Sequence, residues 1–158
     1  MPELYHITEH ILEKDDLLSN VLVMNYHNGT VSSHGMSYKY LTCIREGFRG
    51  YHDNPVIDLW EEMSYANLFK EIHKINNSKY IVIDESNKEE FPKLFHKAET
   101  CGAKKLMACP VRGFKDRPVG MLIGLYKDDC PDFSDPIKRM TVETVCQKLG
   151  HLLDVEGK

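Results

Sequence analysis

The sequence predicts an α+β fold, a central antiparallel sheet of five or six strands with helices packed on it. Three observations carry this expectation. Apolar periodicity orders the 158 residues as α-β-β-α-β-(α)-β-β-α, switching between a period near 3.6 and runs of strand formers. Two apolar strands late in the chain are joined only by the polar segment Arg112–Arg117, a hairpin connection. Helical patterns stand at both ends, so the strands between them have helices available to cover them.

The first helical pattern runs from about Glu3 to Leu18, with Leu4, Ile7, Ile11, Leu12 and Leu18 near helical spacing. Val21–Tyr26 is apolar on both faces, as in a strand covered on both sides. It ends at Asn28-Gly29, residues that tolerate positive φ and so favour a tight turn. Tyr38–Arg45 reads as a second strand, with Tyr38, Tyr40, Thr42 and Ile44 on one face and Lys39, Leu41, Cys43 and Arg45 on the other. A helix is expected over Asp58–Ile75, burying Leu59, Met63, Phe69 and Ile72 with Trp60 beside them. Tyr80–Ile83 is a short strand, and Phe91–Ala98 a short helix. Lys105–Val111 and Val119–Tyr126 form the late hairpin. The last helix is expected to start at an N-cap Ser134, with Pro136 in its first turn and a buried stripe of Ile137, Met140, Val145, Leu149 and Leu152.

Composition narrows the function. With 42% hydrophobic and 28% charged residues, the chain has the makeup of a globular protein, and a single domain over residues 1–158 is expected. The net charge is −4 and the basic residues lie among acids. No basic stripe would follow a phosphate backbone, which argues against nucleic-acid binding. Acidic residues interrupt Met1–Leu18, which points away from a signal peptide or a membrane anchor. Five cysteines without CxxC spacing suit reduced thiols and a cytoplasmic location.

Two stretches resemble the GAF domain family. Lys104–Val111 followed by Arg117-Pro118-Val119-Gly120-Met121-Leu122-Ile123-Gly124-Leu125 is similar to the family's late hairpin. Asn25-Tyr26-His27-Asn28-Gly29 is similar to an aromatic-His-Asn-Gly signature of small GAF-like proteins, many of them phage-encoded. The matched elements span about Asn20 to Leu153. The resemblance implies a sensor module with a pocket for a small molecule, a protein partner, or both; it does not imply what fills the pocket. A dimer made through the terminal helices, Glu3–Leu18 and Ser134–Leu153, fits the same reading.

No Ser-His-Asp elbow, P-loop or dinucleotide glycine motif is present. His6-Ile7-Thr8-Glu9-His10 matches an inverted zinc-protease motif, yet it opens a small domain. It is read as two solvent-facing histidines, with no metal and no cofactor expected. The resemblance extends to GAF-like enzymes that reduce free methionine sulfoxide with thiols, and Cys101, Cys109 and Cys130 lie in the corresponding half of this chain. Their sequence surroundings do not match that enzyme's motif, so a non-enzymatic module is the leading expectation, a pure interaction protein (a phage factor that engages a host component) the first alternative, and a thiol-dependent reductase the second. His27, Asn28, His34 and His52 gather around the first strand turn. Tyr38, Tyr40, Arg45, Trp60, Tyr65 and Tyr126 are candidates to line a pocket between the sheet and its helix, with Arg45 holding an anionic group. The ligand-binding residues chosen from these sets are His27, Asn28, Tyr40, Arg45 and Trp60.

Overall fold

A computed structural model describes residues 2–27, 38–49 and 55–154. Helix α1 (Pro2–Lys14) is followed by strands β1 (Leu18–His27), β2 (Tyr40–Phe48) and β3 (Met63–Ser64). Then come α2 (Phe69–Asn76), β4 (Ile81–Ile83), α3 (Pro92–Thr100), the pair β5 (Lys105–Arg112) and β6 (Pro118–Tyr126), and α4 (Pro136–Leu153). The six strands form one sheet in the order β3-β2-β1-β6-β5-β4, every pairing antiparallel. The α+β expectation and the late hairpin both hold.

The sheet separates two hydrophobic layers. One face carries Leu22, Met24, Tyr26, Leu41, Met121 and Ile123 beneath a roof of α2, α3 and the short 3-10 turns before them. The other carries Val21, Val23, Met107, Cys109, Leu122 and Tyr126 against α1 and α4. Because successive strand residues point to opposite faces, the central stretches of β1, β5 and β6, from Val21 to Met24, Leu106 to Val111 and Val119 to Tyr126, must be apolar or small at every position. In β6 only Pro118 is less than fully buried.

Four sequence expectations are corrected. The first helix ends at Lys14, and Leu18 opens β1. Asp15 turns the chain, accepting from the Leu17 amide at 3.1 Å, while Arg49 donates to the Leu12, Asp15 and Leu18 carbonyls and satisfies the helix end from a distant segment. The helix expected over 58–75 breaks into a 3-10 turn at Ile57–Trp60, the strand β3, a second turn at Ala66–Leu68, and α2. Glu62 takes φ 40° there and its amide donates to Thr42 Oγ1 at 3.1 Å. Met63–Ser64 then pair with the edge of β2, so sheet pairing overrides helical periodicity; Leu59 and Phe69 are left exposed. The N-cap of α4 is Asp135, which accepts from the Ile137 amide; the Ser134 hydroxyl donates to Asp132 instead. Finally, Ile137 and Met140 are exposed and Leu152 only partly covered, the buried stripe being Val145, Cys146, Leu149, Gly150 and Leu153. The first two turns of α4 project past the residues that cover the sheet.

The roof is held by two buried carboxylates. Glu46 accepts from the Val56 and Ile57 amides and from Asn20 Nδ2. Glu71 of α2 accepts from the Lys93 and Leu94 amides, doing for α3 what an N-cap side chain ordinarily does, since Phe91 at that position offers none.

Candidate functional site

The sequence alternation of β2 is interrupted by a bulge. Val23 pairs with Arg45 and Met24 with Cys43, so Ile44 is the extra residue, and it is exposed. Leu41 and Cys43 face the roof, but past the bulge Arg45 turns to the α1 side, where its guanidinium carbon lies 5.0 Å from the centre of the Tyr5 ring. His27 and Tyr40, paired in register, have ring centres 5.5 Å apart, and His27 Nε2 is 2.7 Å from Thr42 Oγ1.

Strand alternation puts Asn25, His27, Tyr40, Thr42 and Arg45 on this same outer face, and all five are half-buried. The result is a polar strip across β1 and β2 on the side that α1 covers. Arg45 Nε is buried without a hydrogen-bond partner among the described residues, an arrangement that favours an anionic or carbonyl acceptor.

Three of the five residues selected from the sequence, His27, Tyr40 and Arg45, therefore share one face. Trp60 does not join them. It is fully buried in the roof layer on the far side of the sheet, with its Nε1 donating to Cys101 Sγ at 3.4 Å and Lys97 Nζ 5.8 Å from its ring centre. Asn28, His34 and His52 lie outside the described residues. The wider aromatic set divides likewise: Tyr38 and Tyr65 pack with Tyr26 in the roof layer, ring centres 5.2–5.9 Å apart, whereas Tyr126 belongs to the opposite layer. The sheet itself prevents these residues from lining one pocket. His6 and His10 are exposed on α1.

A concavity lies elsewhere on this side of the sheet. Between α1, α4 and the sheet lies a small apolar pocket of about 140 Å³, lined by Ile11, Leu18, Met107, Leu122, Phe133 and Val142. Tyr126 lines it too and donates its hydroxyl to Asp15 Oδ2 at 2.6 Å. Its volume is near that of cavities that admit benzene-sized molecules. No local spacing announces it, because its walls come from six separate segments.

Burial gives the protein an alkaline limit. It pushes the Cys43 thiol up to about 12, with Glu46 adding to the effect. Burial likewise pushes the Tyr26 and Tyr126 hydroxyls above the ordinary tyrosine range, Tyr65 adding to it at the first and Asp15 at the second. A folded-state pKa above the unfolded value contributes stability that is complete below the unfolded pKa and is lost as pH rises. Urea unfolding under reducing conditions should therefore show stability falling by on the order of 3 kcal/mol between about pH 9 and pH 10.5. An unchanged midpoint across that window would count against the burial of these three groups.

No protein-family model matches the chain, and no curated protein does. Solved structures match it closely in fold. The green light-absorbing state of the red/green cyanobacteriochrome NpR6012g4 is 15% identical, covering 96% of this chain and 92% of its own, with a TM-score of 0.63. The phycoerythrobilin-bound GAF domain of a cyanobacterial phytochrome is 11% identical over 90% of this chain and 79% of its own, at 0.61. The type II free methionine-R-sulfoxide reductase of Thermoplasma acidophilum is 10% identical over 94% of this chain and 88% of its own, also at 0.61. The protein thus has a GAF-like fold: a six-stranded antiparallel sheet with four helices packed on it.

Proposed function

We propose that the chain is one GAF-like domain that works as a non-enzymatic binding module, taking a small molecule with an anionic group on the outer face of β1 and β2. The observation that carries this reading is the buried Nε of Arg45, without a partner among the described residues, in a strip that also holds His27 and Tyr40. A buried guanidinium N–H without an acceptor is costly, and a ligand carboxylate or phosphate oxygen would remove that cost. The phycoerythrobilin-bound GAF domain among the structural neighbours supports small-molecule binding by this fold. His27 and Tyr40 orient the ligand; Trp60 supports the roof and does not touch it.

The test is a thermal-shift and native mass-spectrometry screen of the full chain against nucleotides, amino acids and tetrapyrroles. One class should bind and raise the melting temperature. Arg45→Gln should weaken that ligand about 10- to 100-fold, the range for losing a hydrogen bond to a charged group. A screen without a single adduct or shift, or a ligand indifferent to Arg45→Gln, removes the proposal.

A second reading rests on the terminal helices, where Tyr5 and Leu17 near α1 and Ile137 and Met140 on α4 are exposed. These apolar side chains fit a protein partner or a homodimer. Sedimentation of wild type against Ile137→Lys/Met140→Lys distinguishes it: a dimer that the double substitution turns into monomer supports the reading, and a monomeric wild type that captures no partner opposes it. Reduction through Cys101 and Cys109 has no comparable support, since the first packs on the roof layer and the second lies in the opposite one.

A further inference from the structure

Cys109 in β5 and Cys146 in α4 stand 37 residues apart in sequence, yet their sulfurs are 2.9 Å from each other. Both are buried free thiols. The separation is well inside ordinary sulfur–sulfur contact and leaves about 0.9 Å to close to a disulfide bond of about 2.0 Å. The pair also borders a surface depression of about 290 Å³, lined with it by Lys79, Pro110, Arg112 and Glu143, so a small oxidant has a way in. We propose that Cys109 and Cys146 are a reversible dithiol site that a peroxide oxidises to an intramolecular disulfide, pinning α4 to β5.

The contact is directional. The Cys146 S–H donates to Cys109 Sγ, and that contact together with burial pushes the Cys146 thiol up. Cys146 thus keeps its proton while the Cys109 sulfur, the acceptor, serves as nucleophile; the Cys109 S–H otherwise donates to the Lys79 carbonyl. In the first step Cys109 sulfur attacks one peroxide oxygen. The O–O bond breaks, the sulfur keeps one oxygen as a sulfenic acid, and the departing hydroxide takes up the Cys109 thiol proton and leaves as water. In the second, Cys146 sulfur attacks Cys109 sulfur, the S–S bond forms, the S–O bond breaks, and a second water carries off the Cys146 proton. Two thiols lose two electrons and two protons, and one hydrogen peroxide becomes two waters. The other cysteines, Cys43, Cys101 and Cys130, show no such contact among the described residues. Burial pushes their thiols up as well, so what singles out Cys109 and Cys146 is the sulfur–sulfur contact.

Reduced full-length protein is treated with stoichiometric hydrogen peroxide, denatured, alkylated with a maleimide and weighed intact. The expected product is lighter by two hydrogens before alkylation and takes up three maleimides, the five cysteines minus the two joined. Digestion without reductant should yield one linked peptide pair holding Cys109 and Cys146, and dithiothreitol should restore five alkylations. Cys146→Ser and Cys146→Ala should each abolish the link and leave a dimedone-trappable sulfenic acid at Cys109. Five free thiols after treatment of wild type, or a link between any other pair, overturns the proposal without recourse to the variants.

Discussion

Gly150→Ala is expected to destabilise the protein by about 2–4 kcal/mol, against the direction that helix propensity predicts. Gly150 lies inside α4, where alanine ordinarily gains roughly 1 kcal/mol over glycine. Here an added Cβ would sit 2.1 Å from the Arg112 carbonyl oxygen and 3.1 Å from its carbon. Both are backbone atoms at the end of β5, so no side chain can swing aside, and α4 would have to lift. That lift would disturb the seat of Leu149 and Leu153 on the sheet. It would also disturb the carboxylate of Asp154, which accepts from the Phe114 amide and pairs with Arg117 at 2.7 Å. Overpacking of this kind commonly costs 1–3 kcal/mol, before any loss of neighbouring hydrogen bonds. Urea denaturation decides between the two effects: a raised midpoint would mean that α4 does not approach β5 this closely. Gly102 is the useful contrast, because its φ of 81° strains any side chain although its Cβ position is open.

Much of the fold was legible from residue pattern, and each failure has a local physical cause. Strands β1, β5 and β6 declare themselves because burial on both faces makes their apolar runs continuous. The alternation of Tyr38–Arg45 was equally regular, yet the bulge at Ile44 reverses the face of Arg45, and no composition signal marks a single unpaired residue. That reversal is what assembles the polar strip. It moves Arg45 off the Leu41 and Cys43 face and onto that of His27 and Tyr40. Over 58–75 the helical spacing is real, but the edge of β2 was a stronger competitor for Met63–Ser64 than one more helical turn. Spacing groups Trp60 with Tyr40 and Arg45, whereas the fold puts it in the roof layer on the opposite side of the sheet, because sequence spacing cannot tell which side of a sheet an aromatic side chain covers. The Cys109–Cys146 contact is invisible for the same kind of reason: two residues on different elements meet only because α4 crosses β5.

Trp60→Ala should cost about 3–5 kcal/mol, the range for emptying a buried aromatic site. Trp60 is fully buried at the start of the roof, where three short pieces and α2 cover a sheet face, and no long helix is available to slide into the space. The collapse that moderates some large-to-small changes is therefore restricted, and the cost should sit toward the upper part of that range. The change also removes the indole donor to Cys101 and the ring beneath Lys97. Typical domains are stable by only about 5–15 kcal/mol, so the variant should be near the edge of folding. Because the chain holds one tryptophan, wild-type fluorescence excited selectively at the indole reports on the roof, and the variant is followed by far-ultraviolet circular dichroism in urea. Trp60→Phe retains most of the apolar volume and should lose less than half as much. If Trp60→Ala unfolded at the wild-type urea midpoint, the residue would not be a wall of the core. The proposed division of labour, with Arg45 on one face for recognition and Trp60 on the other for stability, would then fail on its second half while leaving the first to the ligand screen.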